Sequence, residues 1–135
     1  MAELPPKKPS GKPRILIVDD EVDITQVLKM ALERSGFASD SFNDPLKALA
    51  GFRPSYYDMV LLDIRMPVMN GFELYREIRK LDAKVKICFL TAHENYAMEF
   101  NAVYFEEMLE CVIKKPAKMM NVVKIVSERL GIRQP

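Results

Sequence analysis

Four short stretches of this chain are apolar at nearly every position: Ile15-Leu16-Ile17-Val18, Met59-Val60-Leu61-Leu62, Ile87-Cys88-Phe89-Leu90 and Cys111-Val112-Ile113. A strand with one wet face alternates apolar and polar residues, so runs like these must be covered on both faces. Parallel sheets provide that cover, because each crossover helix packs back onto the sheet. The segments between the runs suit the role. Ile24, Val27, Leu28, Ala31 and Leu32 recur at helical spacing and are followed by Ser35-Gly36, as at a helix C-terminus. Asp44-Pro45 reads as an N-cap with Pro at the first helical position of a helix running to about residue 52. Phe72, Leu74, Tyr75, Ile78 and Leu81 mark a helix over Gly71–Leu81, and Met119, Val122, Val123, Val126 and Leu130 mark the last one.

With strands expected at Arg14–Val18, 37–42, Met59–Asp63, 85–91 and Val112–Lys114, and a further helical stretch at about 95–109, the chain reads as five strands alternating with five helices. Right-handed crossovers make such a sheet doubly wound, with its ligand site outside the carboxyl ends of the strands. Residues 1–13 are rich in Pro and Lys without periodicity and are expected to be a disordered tail. Residues 14–130 form one domain, and 131–135 a C-terminal tail.

What stands at the strand exits is chemical. The first run ends in Asp19-Asp20, the third strand in Asp63, the fourth in Thr91 and the fifth in Lys114-Lys115-Pro116. Three converging carboxylates repel and raise one another's pKa, and a hard divalent cation with oxygen ligands, such as Mg²⁺, relieves that repulsion. A carboxylate can also attack phosphorus to give an aspartyl phosphate. Transfer through a loose anionic transition state needs positioning and positive charge, which the cation and Lys115 would supply, with Thr91 donating a hydroxyl hydrogen bond. Ala92 leaves room for the incoming group. A single Asp here could equally cap the first helix, and Thr91 alone could be a β-former ending a strand.

Composition narrows the classes. A 49% hydrophobic and 29% charged chain is globular rather than disordered. Its net charge is +1, and without Lys7, Lys8, Lys12 and Glu3 of the tail it becomes −1, which gives no support for nucleic-acid binding. No apolar stretch approaches the roughly 20 residues of a membrane helix, and no secretory signal is present, so a cytoplasmic location is expected. Cys88 and Cys111 lack metal-site or redox-motif spacing and read as two reduced thiols buried in strands.

Taken together, Asp19-Asp20, Asp63 with Met66-Pro67 and Gly71, Thr91-Ala92, and Lys115-Pro116 resemble the receiver domain of two-component response regulators, over about residues 14–130. The resemblance implies a flavodoxin-like sheet of order 2-1-3-4-5. It implies Asp63 as phosphoacceptor from a histidine kinase or histidine phosphotransfer protein, Asp20 as a direct Mg²⁺ ligand, and Asp19 acting through metal-bound water. Asp63 itself and the main-chain carbonyl of Arg65 complete the set, and Mn²⁺ would substitute. Thr91 and Lys115 would serve the phosphoryl group, Lys114 would point elsewhere, and the bond between Lys115 and Pro116 is often cis in relatives. Arg65 and His93 flank the phosphoryl group in relatives, and long side chains there should lengthen its lifetime. Such a domain catalyses only its own phosphorylation and dephosphorylation. An unknown downstream protein would bind the 95–109 stretch, the fifth strand and the last helix. No output domain follows the last helix, so a stand-alone receiver and a piece of a longer regulator both fit.

Two features depart from the family. Val112 replaces the usual switch Tyr or Phe three residues before the lysine. The apolar residues Ala97, Met98, Phe100, Ala102, Tyr104, Phe105, Met108 and Leu109 span roughly 200° of a helix, wider than the ~100° needed to cover a core, which reads either as a deeply set helix with a large core face or as an exposed docking patch. The alternatives are a pseudo-receiver acting by contact alone, against which the intact acid–hydroxyl–amine set argues, and a haloacid-dehalogenase-type phosphohydrolase. The latter wants a second Asp where Arg65 stands. A flavodoxin-like cofactor binder is disfavoured by Asp19-Asp20-Glu21, which would repel FMN phosphate.

Overall fold

The computed structural model describes residues 11–92, 111–115 and 118–133 of the 135. Five parallel strands, β1 (Arg14–Val18), β2 (Ala38–Phe42), β3 (Met59–Asp63), β4 (Lys86–Thr91) and β5 (Val112–Lys114), form one sheet in the order β2-β1-β3-β4-β5. Four helices lie among the described residues: α1 (Val22–Arg34), α2 (Pro45–Gly51), α3 (Gly71–Leu81) and α4 (Met119–Leu130). The helix expected at 95–109, the bond between Lys115 and Pro116, and His93 fall outside them.

Both faces of the sheet are covered, as the unbroken apolar runs require. Leu16, Val18, Val60, Leu62 and Phe89 pack with Ala48 of α2 and with Phe72, Leu74 and Ile78 of α3. Their strand neighbours Ile15, Ile17, Met59, Leu61 and Leu90 pack on the other face with Leu28 and Leu32 of α1 and Val122, Val123 and Val126 of α4. The period-two alternation of a strand thus divides one apolar run between two cores. Val112 lies with the first group and is half-buried.

Helix ends follow local chemistry. The Asp44 side chain accepts from Leu46 N at 2.8 Å to cap α2, with Pro45 at its start. Asn70 and Glu73 form a reciprocal capping box on α3, each satisfying a main-chain N–H of the other's turn. Two strands begin one residue later than expected. Phe37 N donates to Leu32 O, so Phe37 still belongs to the exit of α1, and Val85 N donates to Asp82 Oδ1 rather than to the sheet.

One expectation is overturned. Cys88 and Cys111 are not two reduced thiols but a disulfide, with Cα atoms 4.6 Å apart. The pairing of Phe89 with Val112 puts Cys88 directly opposite Cys111 on adjacent parallel strands, within bridging distance. Sequence distance hid this, because a separation of 23 residues carries no register information. Among the described residues no helix is long and apolar enough to cross a membrane.

Candidate functional site

At the carboxyl ends of β1, β3 and β4 the chain leaves the sheet through Asp19, Ile64 and Ala92. Asp19 is held by its backbone. Its N–H donates to Phe42 O at 3.2 Å, and its carbonyl accepts from Asn43 Nδ2 at 2.8 Å. The same Asn43 amide donates to Thr25 Oγ1 at 3.0 Å, which ties the ends of β1 and β2 to α1. The Asp19 side chain is fully buried. Its Oδ1 accepts from Glu21 N at 2.9 Å, holding the turn into α1, whereas Oδ2 meets Lys115 Nζ at 2.5 Å. This ion pair is the one contact of Oδ2 among the described residues.

Asp63 ends β3 and is buried. The loop beyond it is anchored by Ile64 N donating to Leu90 O at 3.1 Å and Gly71 N donating to Ile64 O at 2.8 Å. Gly71 is required by space: a Cβ there would sit 2.3 Å from the carbonyl oxygen of Asp63. Between them Val68, 85% exposed, takes φ +71°, and Met69 N donates to Pro67 O at 2.8 Å across it. A β-branched residue with positive φ at the centre of a three-residue turn is strained. Arg65 lies exposed at the start of this loop.

Thr91 is buried at the end of β4, and its carbonyl accepts from Lys115 N at 2.7 Å. This bond carries the β4–β5 ladder one residue beyond the pairing of Thr91 with Lys114 and turns Lys115 into the site. Its Nζ lies 3.4 Å from Asp63 Oδ1 and 3.6 Å from Glu21 Oε1. Lys114 is exposed, as strand alternation predicts.

Asp19, Asp63 and Lys115 therefore meet as expected, and the carboxylate oxygens of Asp19, Asp20 and Glu21 lie within 4.8 Å of one another. Glu21 was missed as a site residue. Its only sequence signal is its place after two acids at a helix start, where a carboxylate also suits the helix dipole.

The acidities follow from this crowding. The pKa of Asp63 is pushed up to about 7, first by burial and then by the charge of Asp19, against the pull of Lys115. A hydrogen bond between the Asp63 and Asp20 carboxyl groups, which one proton must bridge, acts in the same direction. Burial likewise raises Asp19 above the ordinary carboxylate range despite its contact with Lys115. For Lys115, burial favours the neutral amine, but Asp19, Asp63 and Glu21 outweigh it and the pKa is raised. Four carboxyl groups thus crowd around one ammonium, which leaves a buried excess of negative charge. A hard divalent cation fits that donor set.

Comparison with known proteins supports the same reading of the fold. The family description "response regulator receiver domain" matches residues 15–127. The transcriptional regulatory protein ResD of Bacillus subtilis is 36% identical over 114 residues, covering 84% of this chain and 46% of that protein. The C4-dicarboxylate transport transcriptional regulatory protein DctD of Rhizobium meliloti is 34% identical over 94 residues, 70% of this chain and 20% of that protein. The chain spans less than half the length of these curated relatives. Among solved structures, the non-phosphorylated HemR receiver domain of Leptospira biflexa superposes with a TM-score of 0.78 at 31% identity, covering 92% of this chain and 98% of that one. On this fold, these motifs and these matches, the chain belongs to the response regulator receiver domain family.

Proposed function

We propose that this receiver is a phosphorylation-dependent switch in which Asp63 accepts a phosphoryl group from the phosphohistidine of a histidine kinase or phosphotransfer protein. The observation that carries the reading is a buried Asp63 carboxyl group 3.4 Å from the Lys115 ammonium at the carboxyl end of a doubly wound sheet. An Asp63 oxygen attacks phosphorus, the phosphorus–nitrogen bond of the donor breaks, and the departing imidazole keeps the electron pair and takes up a proton. Lys115 then offsets charge on the transferred oxygens, and the Thr91 hydroxyl donates to one of them. A divalent cation, magnesium or in its place manganese, held by Asp19, Asp20, Asp63 and the main-chain carbonyl of Arg65, would neutralise the crowded carboxylates and the phosphoryl oxygens. Glu21 would add negative charge at its edge.

In this reading the domain acts only on its own phosphoryl group and works in the cytoplasm, where kinase and phosphodonor are found. Arg65 and His93 hinder in-line attack by water, so replacing both with Ala shortens the phosphorylated lifetime, and unchanged decay retires them as modulators. The downstream partner binds the 95–109 stretch together with β5 and α4. Hydrogen exchange with and without beryllofluoride tests that surface: changes confined to the loops after β1 and β3 would place the output elsewhere.

The direct test is labelling with acetyl phosphate, read by intact-mass spectrometry. Wild type gains one phosphoryl group with Mg²⁺ or Mn²⁺ and none with a chelator, and Asp63→Asn gains none. Equal labelling of the variant removes Asp63 from its role.

A further inference from the structure

At the opposite end of the sheet the Cys88–Cys111 disulfide borders a cavity of about 420 Å³ whose wall also carries Arg79, Lys84, Lys86 and Arg129. Glu128 is the one acid in that wall, and Asp82 lies beside Arg79. Arg79 Nη1 donates to the carbonyls of Val85 and Asp82, and Lys86 Nζ donates to the carbonyl of Arg129. Main-chain carbonyls bear no net charge, so the cavity keeps an excess of positive charge.

The bridge also has a mechanical consequence. It links a position within β4 to one just before β5, 23 apart in sequence. The strand it fastens is three residues long and lies at the sheet edge, paired on one side only. Phe89 N donates to Cys111 O at 2.9 Å, so the bridge sits at the first rung of that ladder. In the cytoplasm, the location proposed above and on which this step rests, disulfides are usually transient and redox-sensing rather than structural.

We propose that Cys88–Cys111 is a reversible thiol–disulfide site, opened by an anionic thiol peptide entering through the cationic cavity, and that the bridged form holds β5 in register. A thiolate attacks one cysteine sulfur, the Sγ–Sγ bond breaks, and a mixed disulfide forms while the other cysteine leaves as thiolate. A second thiolate attacks the sulfur of the bound thiol, so that the mixed disulfide breaks, the oxidised thiol dimer forms and the second cysteine leaves as thiolate. Two thiols lose two electrons, the protein gains them, and two protons pass to the cysteines. The reverse reaction uses the thiol's own disulfide as oxidant. This site lies apart from Asp63, so the proposal stands or falls separately from phosphoryl transfer.

The test incubates the native full chain with glutathione, an anionic thiol, or cysteamine, a cationic one, and traps free cysteines by alkylation for mass spectrometry. Each rate is divided by that thiol's rate on a small unstructured disulfide. The expected result is roughly tenfold faster opening by glutathione at low salt, a preference that shrinks at high salt. Lys84→Gln with Lys86→Gln, both at exposed positions, lowers the glutathione rate and leaves an uncharged thiol's rate unchanged. Hydrogen exchange at residues 112–114 rises on reduction while β1 and β3 stay protected. A bridge that opens only in denaturant, equal normalised rates for the two thiols, or unchanged exchange in β5 overturns the proposal.

Discussion

Asp82, near the amino ends of the strands, and Asp63, at their carboxyl ends, are the same residue type in one sheet, yet their acidities move in opposite directions. Burial works to raise Asp82, but main-chain N–H groups of Ser55, Lys84 and Val85 donate to it at 2.9, 3.0 and 3.1 Å, and its pKa falls below the ordinary value. Nearby Asp58 similarly accepts from Arg14 N at 2.8 Å. Asp63 is more deeply buried, and it has Asp19 and Asp20 as neighbours, with Lys115 too few charges to balance them. Carboxylates that fasten loops are satisfied by the chain itself. Those at the opposite end are only partly offset by Lys115 and the Glu21 N–H, which leaves an excess of negative charge for a bound cation to balance.

The largest effect expected in breaking this contrast comes from Gly71, whose missing side chain lets α3 start against the Asp63 carbonyl. Gly71→Ala should cost about 3 kcal/mol by overpacking against backbone that cannot move aside. Chemical denaturation measures it, and a loss below about 1 kcal/mol would mean that the loop holding Asp63 is not tightly packed.

Asp63→Asn should have the opposite sign. Because the folded pKa of Asp63 is raised, its ionisation costs stability, and the metal-free wild type should weaken as pH rises from about 4 to 7. The variant should be more stable at pH 8 by on the order of 2 kcal/mol and lose that part of the slope. A less stable variant with an unchanged slope would contradict a crowded acidic pocket.

Asp82→Ala supplies the mirror image. Its lowered pKa means that the stabilisation is present above the unfolded carboxylate pKa and is lost as pH falls through the folded one. The substitution should cost about 1.5 kcal/mol at pH 7 and progressively less in acid. A cost independent of pH would show that packing, rather than the ionised carboxylate, carries the effect. The smallest change is Val68→Gly, which should add about 1 kcal/mol by relieving the positive φ. Thermal melting with chelator present suffices to detect it.

Much of the reactive end was legible because its signals are local. An apolar run and the residue that ends it are contiguous, so Asp19, Asp63, Thr91 and Lys115 could be placed at strand exits from the order of residues alone. Strand alternation separated Lys114 from Lys115 for the same reason. What stayed hidden depends on contacts between distant segments. The Cys88–Cys111 bridge follows from register between β4 and β5, the ion pair of Glu21 with Lys115 joins the exits of β1 and β5, and Asp82 collects donors from two loops. The dominance of burial over like-charge repulsion in raising Asp63 is also a property of the packed site rather than of spacing.

The contrast between the two ends is tested most directly by titrating individual carboxyl groups with ¹³C NMR in metal-free protein, then again with Mg²⁺. The prediction is that Asp63 titrates near 7 and Asp82 below its ordinary value, and that Mg²⁺ moves Asp63 sharply downward while leaving Asp82 in place. Ordinary titration of Asp63 near 4, or an equal response of both residues to Mg²⁺, would contradict the account.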